Sequence, residues 1–442
     1  MITKAVNKVV ARNFILANSI LCAGLVHSAD LISLPEPLTL EYALDLSKNI
    51  NPDLAFRLAE KEKITSEKSL TAAENGFNLS LEADINWVDR TNAIFTSTID
   101  EQKLSLRLTK SIYDFGGNKY KLKASDKLLD SNSFEYQNEI YLRQVRIMES
   151  YFAVLLSDLR FHRNNENMAV AFISWDDSRK RNELGKISDL EVEKKHSEYQ
   201  RVRRQRFESE NNQRQTRNRL AILMYTNGQL PITLATPDLS DRIKIYPDLD
   251  NLIKRAFDNN LELRALRKKI QSVRSTILVF KSKMKPQINF ESEATTYLNK
   301  YQVNTFSREN WNVGIVLDMP IYDSGKIDSE ISKVQAEVYR LETLIRQKKA
   351  IIQHELLSLK LKLDTLRFER DEANAFNDYS ELLLDEKRAL YEMEVKATLG
   401  TAMVQISDAQ YNVAKSLYET LLTWAKIDVL VGEEPAINLF NK

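Results

Sequence analysis

The chain has 442 residues, 43% of them hydrophobic and 28% charged, with a formal net charge of +1. That balance is ordinary for a folded protein, and it excludes a bulk electrostatic attraction to nucleic acid or anionic lipid. Only 10 glycines and 9 prolines imply few turns and long uninterrupted elements.

Residues 1–29 stand apart. Lys4, Lys8 and Arg12 precede an apolar run at 14–26, and Ser28 and Ala29 supply small residues for a signal peptidase. This reads as a secretory leader, too short to span a bilayer as a helix. Cys22, the sole cysteine, lies inside it after Leu21; a lipid-modified cysteine needs a small residue in that place. The mature chain therefore carries no cysteine for a disulfide, a thiolate or a metal. Beyond residue 30, nothing is apolar enough for a transmembrane helix.

Residues 39–74 carry a helical pattern with a break allowed at Pro52, and 248–283 repeat it at an offset of 209. Leu40 matches Leu249, Asn51 matches Asn260 and Leu54 matches Leu263. A constant offset over so long a stretch marks a duplicated chain. A strand pattern follows each helix. Leu79, Leu81, Ala83, Ile85 and Trp87 alternate with Ser80, Glu82, Asp84 and Asn86, and Leu104, Leu106 and Leu108 alternate with Ser105 and Arg107. In the second half, Ile288, Phe290 and Ala294 oppose Asn289, Glu291 and Glu293. Trp311, Val313, Ile315 and Leu317 oppose Asn312, Gly314 and Asp318. Polar loops at 89–100 and 299–308 join each pair into a hairpin. Strands of about ten residues with one apolar and one polar face suit a sheet tilted across an outer membrane, with tryptophans at its girdle. In that setting Glu82, Asp84, Arg107, Glu291, Glu293 and Asp318 line a lumen.

Each second strand ends in the same junction: Tyr113, Asp114 and Gly116 correspond to Tyr322, Asp323 and Gly325 at the 209 offset. Aspartate and glycine supply the turn and cap that open a helix. Residues 118–182 then contain no proline or glycine, and in 327–395 Val338, Ile345, Ile352, Leu359 and Leu366 recur every seventh residue. A sustained heptad packs as a left-handed coiled coil. About 65 residues at about 1.5 Å each span roughly 100 Å, too long for a compact globule. Breaks at 183–185 and 398–400 lead into return helices at 189–225 and 401–430. The chain thus divides into a leader at 1–29, a helix at 30–77, a hairpin at 78–113, coiled-coil helices at 114–226 and a linker at 227–247. The series resumes at 248–285, 286–322 and 323–431, with a tail at 432–442. The fold class is mainly α with a small β portion.

Four strands cannot close a barrel, and a lipid-embedded sheet has no open edge. If the hairpins enter a membrane, several copies share one barrel: two, three or four copies give 8, 12 or 16 strands. The other reading is an exported coiled-coil scaffold whose strands form a small sheet without a pore.

The segments LTLEYALDLSKNINPDL, SIYDFGG, PIYDSGK, LGKISDLEVEKKHSEY and LGTAMVQISDAQYNVAKSLY resemble the TolC-type outer-membrane factor (outer membrane efflux protein) family in their order and doubling. The resemblance covers essentially the whole mature chain. It implies a homotrimer with a 12-stranded barrel in outer-membrane lipid, continued by a 12-helix tunnel in the periplasm. Its implied partners are a periplasmic adaptor and an inner-membrane pump of ABC or RND type, and its implied role is type I protein secretion or multidrug efflux. It also implies a tunnel narrowed near the periplasmic tips by acidic residues. By position, Asp408 matches one of these; Gln405 and Glu191 stand where the family has aspartate, and Gly185 and Gly400 mark the tips that touch the adaptor.

No cofactor or enzymatic constellation is expected. There is no phosphate-binding glycine loop, His162, His196 and His354 lack partners at metal spacing, and no nucleophile is marked by a base. The arginine-rich run at 201–219 reads as a solvated helix face.

Overall fold

The structure, a computed structural model, describes residues 34–49, 51–92, 95–226, 233–237, 248–297, 310–393 and 399–435. The expected leader, the loop at 299–308 and most of the 227–247 linker lie outside the described residues.

Elements in chain order are α1 (Leu40–Asp45), a 3-10 turn (Leu46–Lys48), α2 (Pro52–Glu74), β1 (Asn78–Asn92), β2 (Phe95–Tyr113), α3 (Gly117–Glu183) and α4 (Asp189–Met224). They continue as α5 (Leu249–Asn259), α6 (Leu261–Lys283), β3 (Gln287–Tyr297), β4 (Asn310–Asp318), α7 (Lys326–Glu392) and α8 (Leu399–Val431). The four strands form one antiparallel sheet in the order β1-β2-β3-β4. Two expectations are corrected. The loop placed at 89–100 is mostly strand, with pairing that continues to Asn92 opposite Phe95. β1 and β2 are therefore 15 and 19 residues long, more than a membrane crossing needs. Gly400 is no turn residue: it is the second residue of α8, and a Cβ there would sit 2.7 Å from Val170 Cγ2 on α3. Glycine allows that close helix approach.

The helices stand in four columns that continue the four strands. Near the sheet the order is α2, α3, α6, α7; towards the far tips it is α4, α3, α8, α7. The 67-residue helices α3 and α7 run the whole height, about 100 Å. The shorter helices fill the other two columns end on end. Between α3 and α7, α8 meets α6 head to tail through Asn260, whose Oδ1 accepts from Leu263 N–H at 3.1 Å while its Nδ2 donates to Leu430 O at 2.9 Å. One side chain thus caps an N-terminus and satisfies an orphan carbonyl of the helix above it. Asn51, the matching residue, caps α2 by accepting from Asp53 N–H and Leu54 N–H.

Two hydrophobic clusters hold the columns at mid-height. One joins Leu40 and Leu44 to Ile147, Met148, Tyr151 and Phe152 of α3 and to Tyr418 and Leu421 of α8. The other joins Leu252 and Leu263 to Ile352 and Leu356 of α7 and to Trp424 of α8. Within the first, Tyr151 Oη reaches Leu38 O at 2.8 Å and Ala235 O at 2.6 Å. It thereby pins the parallel bridge between Leu38 and Leu234. Burial drives the Tyr151 hydroxyl far above the ordinary phenol range, so it stays a donor.

The junctions are built alike. Asp114 Oδ1 accepts from Gly116 N–H at 3.0 Å and Oδ2 from Asn118 N–H at 2.5 Å. Asp323 repeats this with Gly325 N–H at 3.0 Å and Ile327 N–H at 2.9 Å. Gly116 and Gly325 have φ of 86° and 77°, a conformation glycine takes at least cost. Asp323→Ala is expected to cost about 1–2 kcal/mol, the usual loss on removing a helix cap. Denaturant unfolding of the purified variant measures it, and an unchanged midpoint would remove the junction from the account.

Candidate channel wall and tip

The sheet presents two chemically distinct faces because the register aligns the alternating patterns across all four strands. Leu81, Leu106, Ala294 and Trp311 are successive partners in one row, and Leu79, Leu108, Ser292 and Val313 in the next. Trp311 is 79% exposed and Ile315 70%, so this apolar face has no cover among the described residues; the Trp87 side chain lies outside the described ones. Across the opposite face run Ser80, Arg107, Glu293 and Asn312, then Glu82, Ser105, Thr295 and Asn310. Arg107 pairs with Glu293 at 3.7 Å, and Lys103 with Asp84 at 3.8 Å. Glu291 lies opposite Thr109 and Gly314, and Asp318 opposite Gln287. The two outer strands, β1 and β4, each have a sheet partner on one side only. No described helix is long and apolar enough to cross a membrane.

At the far end, α3 closes with Gly185 at φ 68°, its N–H bonded to Asn182 O at 2.7 Å and Lys186 N–H to Arg181 O at 2.9 Å. Asn182 Nδ2 donates to Ile187 O and to Asp189 Oδ1 at 3.0 and 2.9 Å, and Ser188 caps α4 by accepting from Glu191 N–H. Trp175 of α3 stacks on His196 and Tyr199 of α4, with centroids 4.8 and 5.4 Å apart. Farther from the tip, Asp158 receives both guanidinium nitrogens of Arg217 at 2.6 and 2.7 Å. Across the α3–α8 contact, Arg163 Nε meets Asp408 Oδ1 at 2.7 Å and Ser407 Oγ donates to Glu166.

Residues 44–224 match the family model of outer membrane efflux proteins. Among solved structures, CusC superposes with a TM-score of 0.72 at 16% identity, covering 89% of this chain and 92% of that one. The CmeC outer membrane channel of Campylobacter jejuni gives 0.70 at 14%, covering 89% and 85%. The MtrE outer membrane channel of Neisseria gonorrhoeae, in its open state, gives 0.65 at 12%, covering 89% of each. The family match spans less than half of the chain. No curated protein matches it by sequence. At these identities the likeness to the solved channels is one of fold.

In this chain, all six sequence-predicted lumen residues lie on the polar face of one sheet. Lys103, also on that face, escaped the sequence reading although it stands two residues before Ser105 in the same alternation. Of the three residues assigned to the constriction, Gln405 and Asp408 lie one turn apart on α8, and Glu191 is not brought to them. Asp408 lies level with Arg163, whereas Glu191 is in the first turn of α4, about 30 Å nearer the tip at 1.5 Å per residue. Gln405 donates to Ser380 Oγ of α7 at 3.4 Å. Arg163 was not anticipated, because a cation on a helix 245 residues away in sequence leaves no local signal.

Proposed function

We propose that this protein is the subunit of a passive export conduit through the bacterial outer membrane, assembled as a homotrimer. Its carrying observation is the four-column wall whose edges, among the described residues, stay open at every height: β1 and β4 in the sheet, α2 or α4 and α7 in the helices. Three copies, the number the family implies, close the sheet as a 12-stranded barrel and the helices as a 12-helix tunnel. The apolar face of the sheet meets lipid and the polar face meets the aqueous lumen. The tunnel descends through the periplasm to an adaptor and an inner-membrane pump of ABC or RND type, which supplies the energy. Protein secretion and efflux of small toxic molecules are both served by such a conduit.

The duplicated halves explain the geometry: each contributes one hairpin and two full-height columns. On the lumen face, Glu82, Asp84, Glu291, Glu293 and Asp318 outnumber Arg107 and Lys103. Nearer the tip, Asp408 is held by Arg163, so the narrow part is less acidic than bare carboxylates would make it. The barrel accordingly sets a mild cation preference. Purified protein in a planar bilayer under a salt gradient is expected to conduct with a reversal potential of cationic sign. Anion selectivity would overturn the assignment of faces, and an electrically silent bilayer would overturn the channel.

A further inference from the structure

The lower half of α7 has a seam that nothing among the described residues covers. Its buried row, Leu366, Ala373 and Ser380, steps by seven on the side of α8. On the opposite side two more rows step by seven. One is acidic: Asp364, Asp371, Asp378 and Asp385. The other runs Leu361, Phe368, Ala375 and Leu382, and its large members are 54%, 71% and 72% exposed. A helix with water on that side would be polar there, whereas apolar residues at heptad spacing mark a face made for another helix.

The other outer column of the lower wall is α4. Its buried Val202 and Ser209 face α3, and its far side carries Arg203, Arg204 and Arg214, with Phe207 exposed at 59%. The charges are opposite in sign. Asp189–Met224 holds nine Lys and Arg against six Asp and Glu, while residues 360–392 hold six against nine.

Height fixes the register. Asn164 of α3 meets Gln205 of α4. Arg163 meets Asp408 of α8, and Gln405, one turn away on α8, meets Ser380 of α7. Gln205 is therefore level with α7 near residue 377, and Arg203 with Asp378 to within a turn. By the same measure Phe207 is level with Ala375, the one small residue in the apolar row. Rotation about an axis parallel to the columns leaves height unchanged, so residues at one level on the two edges are those that meet between copies.

We propose that the acidic seam of α7 docks on the arginine seam of α4 on a second copy, with Asp378 against Arg203 and Phe207 seated over Ala375. This rests on the channel reading above and gives its lower interface a specific, salt-weakened register.

Cysteines test it in the full chain, which has only Cys22 besides. Within one copy, residues 203 and 378 are separated by the α3 and α8 columns, about 25–30 Å at normal interhelix spacing, beyond disulfide reach. Oxidised Arg203→Cys/Asp378→Cys protein is expected to migrate as covalently joined copies. Arg203→Cys/Asp364→Cys protein, whose cysteines are about 20 Å apart in height, is expected to crosslink about tenfold less. The charge exchange Arg203→Asp/Asp378→Arg is expected to assemble where Asp378→Arg alone loosens the oligomer. An intact oligomer that crosslinks at neither pair, or equally at both, overturns this seam and leaves the channel standing. A protein that isolates as single copies overturns both.

Discussion

Gly432→Ala is expected to destabilise the protein by about 2–4 kcal/mol, the sum of a strained backbone and an overpacked contact. Gly432 closes α8 at φ 85°, and Glu433 N–H reaches back to Asp428 O at 2.8 Å. A Cβ there would lie 2.3 Å from Asn259 O and 2.8 Å from its carbonyl carbon. Those atoms belong to the break between α5 and α6, where Asn260 is tied to both α6 and Leu430. Neither side yields without loosening the joint that stacks α8 on α6. Denaturant unfolding of the variant beside the parent protein reads the effect; a difference below about 0.5 kcal/mol, the range of ordinary surface substitutions, would show that the joint is not tight.

Phe152→Ala is expected to cost about 3–5 kcal/mol, the usual range for emptying a core aromatic site. Phe152 is 1% exposed and lies parallel to Tyr418 with centroids 4.5 Å apart, while Tyr151 meets it edge on at 6.3 Å. The ring joins α3 to α8, the contact that fixes the two middle columns of the wall. Leu190→Ala, at a position 81% exposed, is the control and is expected within about 0.5 kcal/mol of the parent. Equal midpoints for the two variants would place the mechanical centre of the fold elsewhere.

Much of this architecture is legible in the sequence because its signals are local. Asp114 with Gly116, and Asp323 with Gly325, name the chemistry of a strand-to-helix junction within three residues. The glycine-free stretch of α3 and the heptad of α7 announce long helices directly. Features that depend on distant partners are silent. Arg163 becomes informative only once α8 brings Asp408 to it. Gly400 and Gly432 look like ordinary turn residues, yet one allows Val170 close to α8 and the other accommodates the backbone of Asn259. The hairpin of β1 and β2 outruns its alternating pattern, because backbone pairing continues to Asn92 opposite Phe95. Lys103 was overlooked for a simpler reason: it sits on the polar face beyond the leucines that define the strand.

In the proposed channel the wall of four columns is a fraction of a closed surface, and its outer strands β1 and β4 each have a sheet partner on one side only. Counting the copies in the detergent-extracted particle by native mass spectrometry is the most direct test. Three copies per particle is the expected result; a stable particle of one copy would contradict the account.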